Sequence, residues 1–302
     1  MLRRNGTAAC GLGAMLVAWA GAACAEPDAG FAPPAFLNPI AAYIAALPEI
    51  KRQAIASQPS WVSPIVTTTG RLEQNARYEQ TEQVTAQGAL TTNLDNGKGV
   101  RVITSDRTEV QFNPPPLLAR TVTKPARGTG DWQFTSLRYR VASANAAEGD
   151  YVVTVYSNFQ APTGTAAFTN HAWIFTPSLA VGKGWGAFDI QANVSLQVPG
   201  SHRATIGNAL IANVAFQYHV ATYFWPQIEF NTTHFIGGQR TGLTQVFVTP
   251  GILFGRFSFS KDNNLTVGIG YQKAIAPDKT IFKPALTPTY DHALILASRL
   301  SF

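Results

Sequence analysis

From about residue 66 to the end, apolar and polar side chains alternate one for one through stretches of about 10–14 residues. In the segment 187–198, Phe188, Ile190, Ala192, Val194, Leu196 and Val198 point one way. Ala187, Asp189, Gln191, Asn193, Ser195 and Gln197 point the other. The code repeats at Leu210, Ala212, Val214, Phe216 and Tyr218 against Asn213, Gln217 and His219, and at His292, Leu294, Leu296 and Leu300 against Asp291 and Arg299. A period of two is the signature of strands with one apolar and one polar face. After the first 25 residues no apolar run approaches the roughly 20 residues that a membrane helix needs.

A soluble sandwich and a membrane barrel can share this alternation. Three features favour the barrel. Soluble strands usually run about 5–6 residues, whereas crossing a bilayer at a tilt takes about 9–11. Aromatic residues gather near the segment ends, at Trp132, Tyr151, Trp173, Trp185, Tyr223, Phe224, Trp225, Phe257, Phe259 and Tyr290, where rings sit well at headgroup depth. The polar faces carry Gln, Asn, Thr and Gly with few Lys, and charged residues make up only 13% of the chain, about half the usual share of roughly 25%. A closed barrel also removes the sheet edges that lipid cannot solvate.

Twelve segments fit the pattern: 67–78, 84–94, 99–113, 131–143, 150–161, 172–183, 185–198, 206–219, 222–235, 243–257, 263–275 and 289–302. Their connections alternate between short and long, as periplasmic turns and external loops do. Parity requires the segment 84–94, and 12 strands are favoured over 10 or 14. The fold class is therefore all-β, a transmembrane antiparallel up-and-down barrel spanning residues 66–302. Pro177, Pro226 and Pro250 lie inside strands and are expected to produce bulges, because proline removes a ladder donor.

The chain starts with a different kind of segment. Residues 1–25 carry Arg3 and Arg4, a short apolar stretch and Ala23-Cys24-Ala25, the layout of a cleaved signal peptide. A lipoprotein reading would acylate Cys24 instead. Cys10 and Cys24, the 2 cysteines of the chain, both lie in this segment, so the mature protein is expected to use neither disulfide nor thiolate chemistry. With Arg3 and Arg4 gone, 21 basic residues face 17 acidic ones, a net of +4. That charge is too mild and too dispersed for a nucleic-acid partner. Residues 26–65 form either a periplasmic leader or a lumen plug. Ile40, Tyr43, Ile44 and Leu47 share a helical face within 39–56, which Pro48 interrupts.

No phosphate-binding loop, dinucleotide fingerprint, HExxH or GxSxG motif occurs. Gly182-Lys-Gly-Trp-Gly186 reads as a tight turn between strands. His171, His202, His219, His234 and His292 form no ligand-spaced pair, and no cofactor is expected. Parity places Arg71, Glu73, Arg77, Arg138, Arg140, Asp189, Glu229 and Arg299 on inward faces. Charges there need water or partners. They serve either as ion pairs bracing the wall or as an Arg-rich constriction selecting polar or anionic solutes.

The pieces Thr176-Pro-Ser-Leu-Ala180, Gly182-Lys-Gly-Trp-Gly186, Asn213-Val-Ala-Phe-Gln-Tyr-His219, Trp225-Pro-Gln-Ile-Glu-Phe-Asn-Thr232, Thr249-Pro-Gly251, Gly270-Tyr-Gln272 and the closing Asp291-His292…Arg299-Leu-Ser-Phe302 resemble those of the bacterial outer-membrane β-barrel family assigned to transport in the phenol meta-degradation (MetA) pathway. The resemblance covers roughly residues 66–302. It implies a Gram-negative outer-membrane channel passing small organic molecules, aromatic or hydrophobic ones included. The expected partners are outer-membrane lipid, the solute and the barrel assembly machinery, with the protein a monomer. Phe302 keeps the terminal aromatic of the assembly signal, while Ser298 stands where an apolar residue is usual. The alternatives are an integral outer-membrane hydrolase and a structural barrel with a blocked lumen. If the inward arginines form a filter, replacing Arg138 and Arg140 by neutral residues shifts the reversal potential in planar bilayers, and an unchanged potential rejects the filter.

Overall fold

The computed structural model describes residues 38–86, 88–121, 125–260, 263–277 and 290–302. The expected signal peptide and most of the loop 276–288 lie outside the described residues. Fifteen strand segments, all paired antiparallel, make one sheet: β1 (Asn75–Val84), β2 (Leu90–Leu94), β3 (Val100–Ile103), β4 (Thr108–Phe112), β5 (Leu117–Arg120), β6 (Ala126–Thr129), β7 (Trp132–Ala144), β8 (Tyr151–Ala161), β9 (Ile174–Trp185), β10 (Phe188–Pro199), β11 (Ala209–Tyr218), β12 (Phe224–Phe235), β13 (Thr244–Ser258), β14 (Asn264–Ala276) and β15 (His292–Ser301). β15 pairs with β1 along its length, from Asn75↔Ser301 to Val84↔His292, which closes the sheet into a barrel.

Twelve strands encircle the lumen, because three of them are interrupted. β2 and β3 both run antiparallel to β1, through Gln80↔Leu94 and Ala76↔Val100, so they are one wall strand. β5 and β4 pair onto β2 and β3 in the same way, and β6 and β7 onto β5 and β4. The count of 12 matches the parity argument, but the first three strands do not lie where alternation placed them. Residues 67–74 are not a strand. The segment 99–113 contains a reversal, at 104–107. The expected turn at 95–98 is not one: Asp95, Asn96 and Gly97 adopt positive φ of 71°, 46° and 64°. These residues would suit a hairpin turn. Here both flanks pair with the same neighbour, so the chain buckles inward and returns to its own line, and the Asn96 amide reaches the Glu79 carboxylate. Pro114, Pro115 and Pro116 break the next strand by withholding ladder donors. Trp132 donates its indole N–H to the Asn113 carbonyl beside this gap at 2.5 Å.

The bulges expected at Pro177, Pro226 and Pro250 are absent, with register continuing through Pro177↔Ser157, Pro226↔Ile252 and Pro250↔Ile228. β13 bulges instead at Val246/Phe247 and Phe254/Phe257. The Gly-rich run is not a turn either. Gly182 to Trp185 end β9, and the reversal is at Gly186-Ala187, where Gly186 supplies φ of 66°.

Burial is inverted relative to a soluble protein. Gln191, Glu229, Thr154 and Thr249 are fully buried on the inner face, while Val194, Leu210, Ile228, Ile269 and Leu296 stand exposed on the outer one. Exposed apolar surface on this scale requires a lipid or protein cover. Among the described residues no helix is long and apolar enough to cross a membrane, so the strands do. Trp173, Trp185, Tyr218, Tyr223 and Phe259 are exposed at strand ends as interfacial anchors. Trp225 and Tyr290 depart from that role. Trp225 turns inward, stacks on His219 at 3.8 Å and donates to the Gly255 carbonyl at 3.1 Å. Tyr290 packs on Phe247. The connections 104–107, 145–150, 186–187, 219–223 and 259–263 share an end with the start of β1 and the end of β15, which marks that end as periplasmic.

A charge on the outer face tests this orientation. Val194→Arg at mid-strand is expected to cost about 2–4 kcal/mol of folding into lipid. Gln197→Arg, three residues on and facing inward, is expected to cost far less. Urea unfolding in vesicles, followed by heat-modifiable gel mobility, compares the two.

Candidate functional site

Residues 57–74 run inside the barrel. The helix α1 (Asn38–Ala56) precedes them. Its end is fixed by Ala54, which is fully buried against Leu72 and Ile103. Gln58 and Leu72 exchange two hydrogen bonds, Gln58 Nε2 to the Leu72 carbonyl at 2.8 Å and the Leu72 amide to Gln58 Oε1 at 2.9 Å. The two limbs of the segment are thus joined at their base, and the stretch between them rises along the wall and returns. Pro59 and Pro64 bar it from pairing as a strand.

A coil in a barrel still has to satisfy its backbone. With no ladder available, the wall's side chains pair with it. The Glu229 carboxylate accepts the amide N–H groups of Val66 at 3.0 Å and Thr67 at 2.5 Å. Asn193 accepts from the Thr68 amide at 3.2 Å, and Gln191 donates to the Val62 carbonyl at 2.9 Å. The guanidinium of Arg299 donates to the carbonyls of Ser63 and Pro64, and that of Arg138 to Thr69. Arg140 donates to the Ala54 carbonyl at 2.7 Å and the Ser57 hydroxyl at 2.8 Å. Arg256 spans the Ser60 and Trp61 carbonyls at 2.5 and 2.6 Å.

Packing complements these bonds. Trp61 is buried with Val62, Ile65, Val152, Leu253 and Ile295, and its indole N–H donates to Asp150 at 3.1 Å. The ring lies against the bare backbone of β9. A Cβ on Gly182 would come within 2.6 Å of the indole, and one on Gly184 within 1.9 Å of the Asp150 carboxylate. The glycine-rich run is therefore a seat for Trp61.

All eight inward charges read from parity lie on the interior, but they are not alike. Arg71 and Glu73 belong to the inner segment rather than to a wall strand. Arg71 folds back on the carbonyls of Pro59 and Trp61. Arg138, Glu229 and Arg299 are occupied by the segment's backbone, and Arg140 by the Ala54 carbonyl of α1 and the side chains of Ser57 and Gln58. Asp189 accepts from Gln191 at 3.0 Å and makes no bond to the segment among those described. Arg77 makes none of these contacts. Sequence reading missed Arg101 and Glu109, which sit at the centre of the charge network: Arg101–Glu73 2.7 Å, Arg101–Glu109 3.6 Å and Arg138–Glu109 3.4 Å. Their signal was present, since both alternate with Val100, Val102, Val110 and Phe112. Asp150, in a turn, and Arg256 carried no such signal. Among the described residues no group of His, Cys, Asp and Glu is placed to hold a metal ion.

Three cavities follow one another along the lumen. An external vestibule of about 360 Å³ is walled by Leu118, Phe168, Ile174 and Phe235 together with Asp131 and Gln160. A polar cavity of about 140 Å³ lies inside it, and a second of about 140 Å³ lies on the other side of the inner segment. Asn96 and Gln133 line both the vestibule and the first polar cavity. Ser63 lines both of these smaller cavities.

A closed antiparallel barrel with an apolar exterior, a polar interior and this row of cavities defines an outer-membrane β-barrel of channel architecture. Its fold matches that of an outer-membrane channel from Pseudomonas putida F1, with a TM-score of 0.52 and 14% identity over 80% of this chain and 100% of that one. The chain belongs to the family described as "Putative MetA-pathway of phenol degradation", whose sequence profile matches residues 62–229. The NanC porin aligns with a TM-score of 0.47 and 8% identity over 75% of this chain and 98% of that one. No curated protein matches.

The charge network makes the inner segment sensitive to acid. Burial works against the ionised form of Glu73, but Arg101, Arg77, Arg71 and Arg299 together outweigh it and hold the carboxyl below its ordinary range. A carboxyl lowered in this way stabilises the folded arrangement fully above its ordinary value, and that contribution fades as pH falls through the lowered one. Single-channel conductance is therefore expected to stay flat from neutral pH to about 5 and to rise at more acid pH, near and below the ordinary carboxylate value. Glu73→Gln is expected to show the raised conductance already at neutral pH. A conductance independent of both pH and Glu73 contradicts this account.

Proposed function

We propose that the protein passes small organic molecules, aromatic ones included, passively across the outer membrane, with residues 57–74 as the element that narrows the path. The observation that carries this reading is the shared lining of the cavities. Vestibule and polar cavity meet at Asn96 and Gln133, and the polar cavity and the one beyond it both touch Ser63. The barrier is thus thin, and it is held by side chains rather than by strand pairing. The vestibule combines apolar rings with amide and carboxylate groups, the kind of lining that suits compact molecules with one apolar and one polar end. A barrel of 12 strands also lies between the filled 8-stranded and open 16-stranded sizes.

On this reading, residues 1–25 direct export and are removed, Phe302 is read by the assembly machinery, and the barrel acts as a monomer. The charges at Arg138, Arg140, Glu229 and Arg299 act on permeation indirectly, by fixing the inner segment.

Liposome swelling with phenols, organic acids and sugars tests the proposal. Phenols and small acids are expected to enter faster than sugars of similar mass. Glu229→Gln, which weakens the hold on Val66 and Thr67, is expected to raise all rates severalfold. If neither the native barrel nor this variant passes any solute, the barrel is a blocked structural one.

A further inference from the structure

The first polar cavity has a lining of one sign. Among the described residues, four cations face it, Arg77, Lys98, Arg101 and Arg138, and its lining includes no Asp or Glu. The carboxylates of the region lie behind these cations and serve three of them. Glu73 and Glu109 pair with Arg101, Glu109 with Arg138, and Glu79 with Lys98 at 3.6 Å. Arg77 is left over. Among the described residues it has neither a hydrogen bond from its guanidinium nor a carboxylate within ion-pair distance; Glu73 and Glu79 act on it only from further away, and its Nε is buried without a hydrogen-bond partner, as are those of Arg101, Arg138 and Arg299. It projects from β1 opposite the inward buckle at Asp95–Lys98, and the buckled strand is held there by the Arg77 amide, which donates to the Gly99 carbonyl at 2.8 Å.

An arginine inside a barrel whose guanidinium touches no protein acceptor is poised for an external one. The other lumen arginines show what a satisfied guanidinium looks like here: each donates to backbone carbonyls or pairs with a glutamate. Arg77 presents a free planar fork to a cavity of about 140 Å³ whose other walls supply neutral hydroxyl and amide groups from Thr67, Thr69, Asn113 and Asn158. Such a fork fits a carboxylate in bidentate fashion. Asn96 and Gln133 line both this cavity and the vestibule, where Leu118, Phe168 and Phe235 offer apolar surface.

We infer that Arg77, with Lys98 beside it, forms a binding subsite for the carboxylate of a small organic acid whose apolar or aromatic body points toward the vestibule. This deepens the channel reading and rests on it for the route of access. It also divides the inward arginines into two groups: Arg138, Arg140 and Arg299 build the barrier, and Arg77 meets the solute.

The test uses the full mature barrel refolded in detergent, with benzoate as the probe and benzyl alcohol as its uncharged counterpart. Isothermal titration is expected to show benzoate binding and much weaker binding of benzyl alcohol. Arg77→Gln is expected to weaken benzoate about tenfold or more, and Arg77→Lys, which keeps the charge but loses the fork, to fall between. Arg127→Gln removes an equal charge from the exposed position of β6 and is expected to bind as the native protein does. Heat-modifiable mobility establishes that each variant is folded. Should Arg77→Gln fail to fold, the Arg77→Lys result decides. Native affinity in the folded Arg77 variants, or equal binding of benzyl alcohol, overturns the subsite. Solute flux is measured separately in liposomes. Benzoate binding without any flux rejects the channel and leaves the subsite standing, whereas flux with Arg77-independent benzoate binding rejects the subsite alone.

Discussion

Hydrocarbon offers no hydrogen-bond partner, so every backbone N–H and C=O at membrane depth must be paired within the protein. The closure of β15 onto β1 meets this demand at the wall. The same demand explains the interior. Residues 57–74 enter a space where no ladder receives them, and their amides and carbonyls are met one at a time by Glu229, Asn193, Gln191, Arg138, Arg299 and Arg256. The lumen charges are therefore the counterpart of a sheet edge, supplied by side chains because the segment itself is irregular.

The wall divides into two regions. From β8 to β15 its strands are unbroken, with bulges in β13. From β1 to β7 three neighbouring strands are broken at Asp95–Gly99, Asn113–Pro116 and Gly130–Asp131. These breaks cost ladder bonds, and they place Asn96, Pro116, Gly130 and Gln133 around the vestibule. The irregular third of the barrel thus shapes the path, and the regular two thirds provide the support against which the inner segment packs, through the glycine seat on β9 and the apolar cluster around Trp61.

Legibility followed the same division. Where a strand is uninterrupted, period two fixes which side chains face lipid, and Asp189, Glu229 and Arg299 were placed inward on that basis alone. Where strands break, the signal misleads. Asp95-Asn96-Gly97 carries the chemistry of a hairpin and makes a bulge, because what reverses a chain is the pairing of its flanks with each other. Residues 67–73 alternate well enough to pass for a strand, yet they follow Pro59 and Pro64 into the lumen. The reversal at 104–107 has no glycine to mark it.

The sequence by itself determined the membrane environment, the antiparallel barrel and the number of strands, because alternation and parity are properties of local order along the chain. Tertiary structure decided which of the inward charges contact the inner segment and which do not. That outcome depends on where an irregular segment threads among the side chains of a closed wall: Arg138 and Arg77 have the same inward parity, but only the path of residues 57–74 gives one of them a carbonyl and leaves the other facing open space.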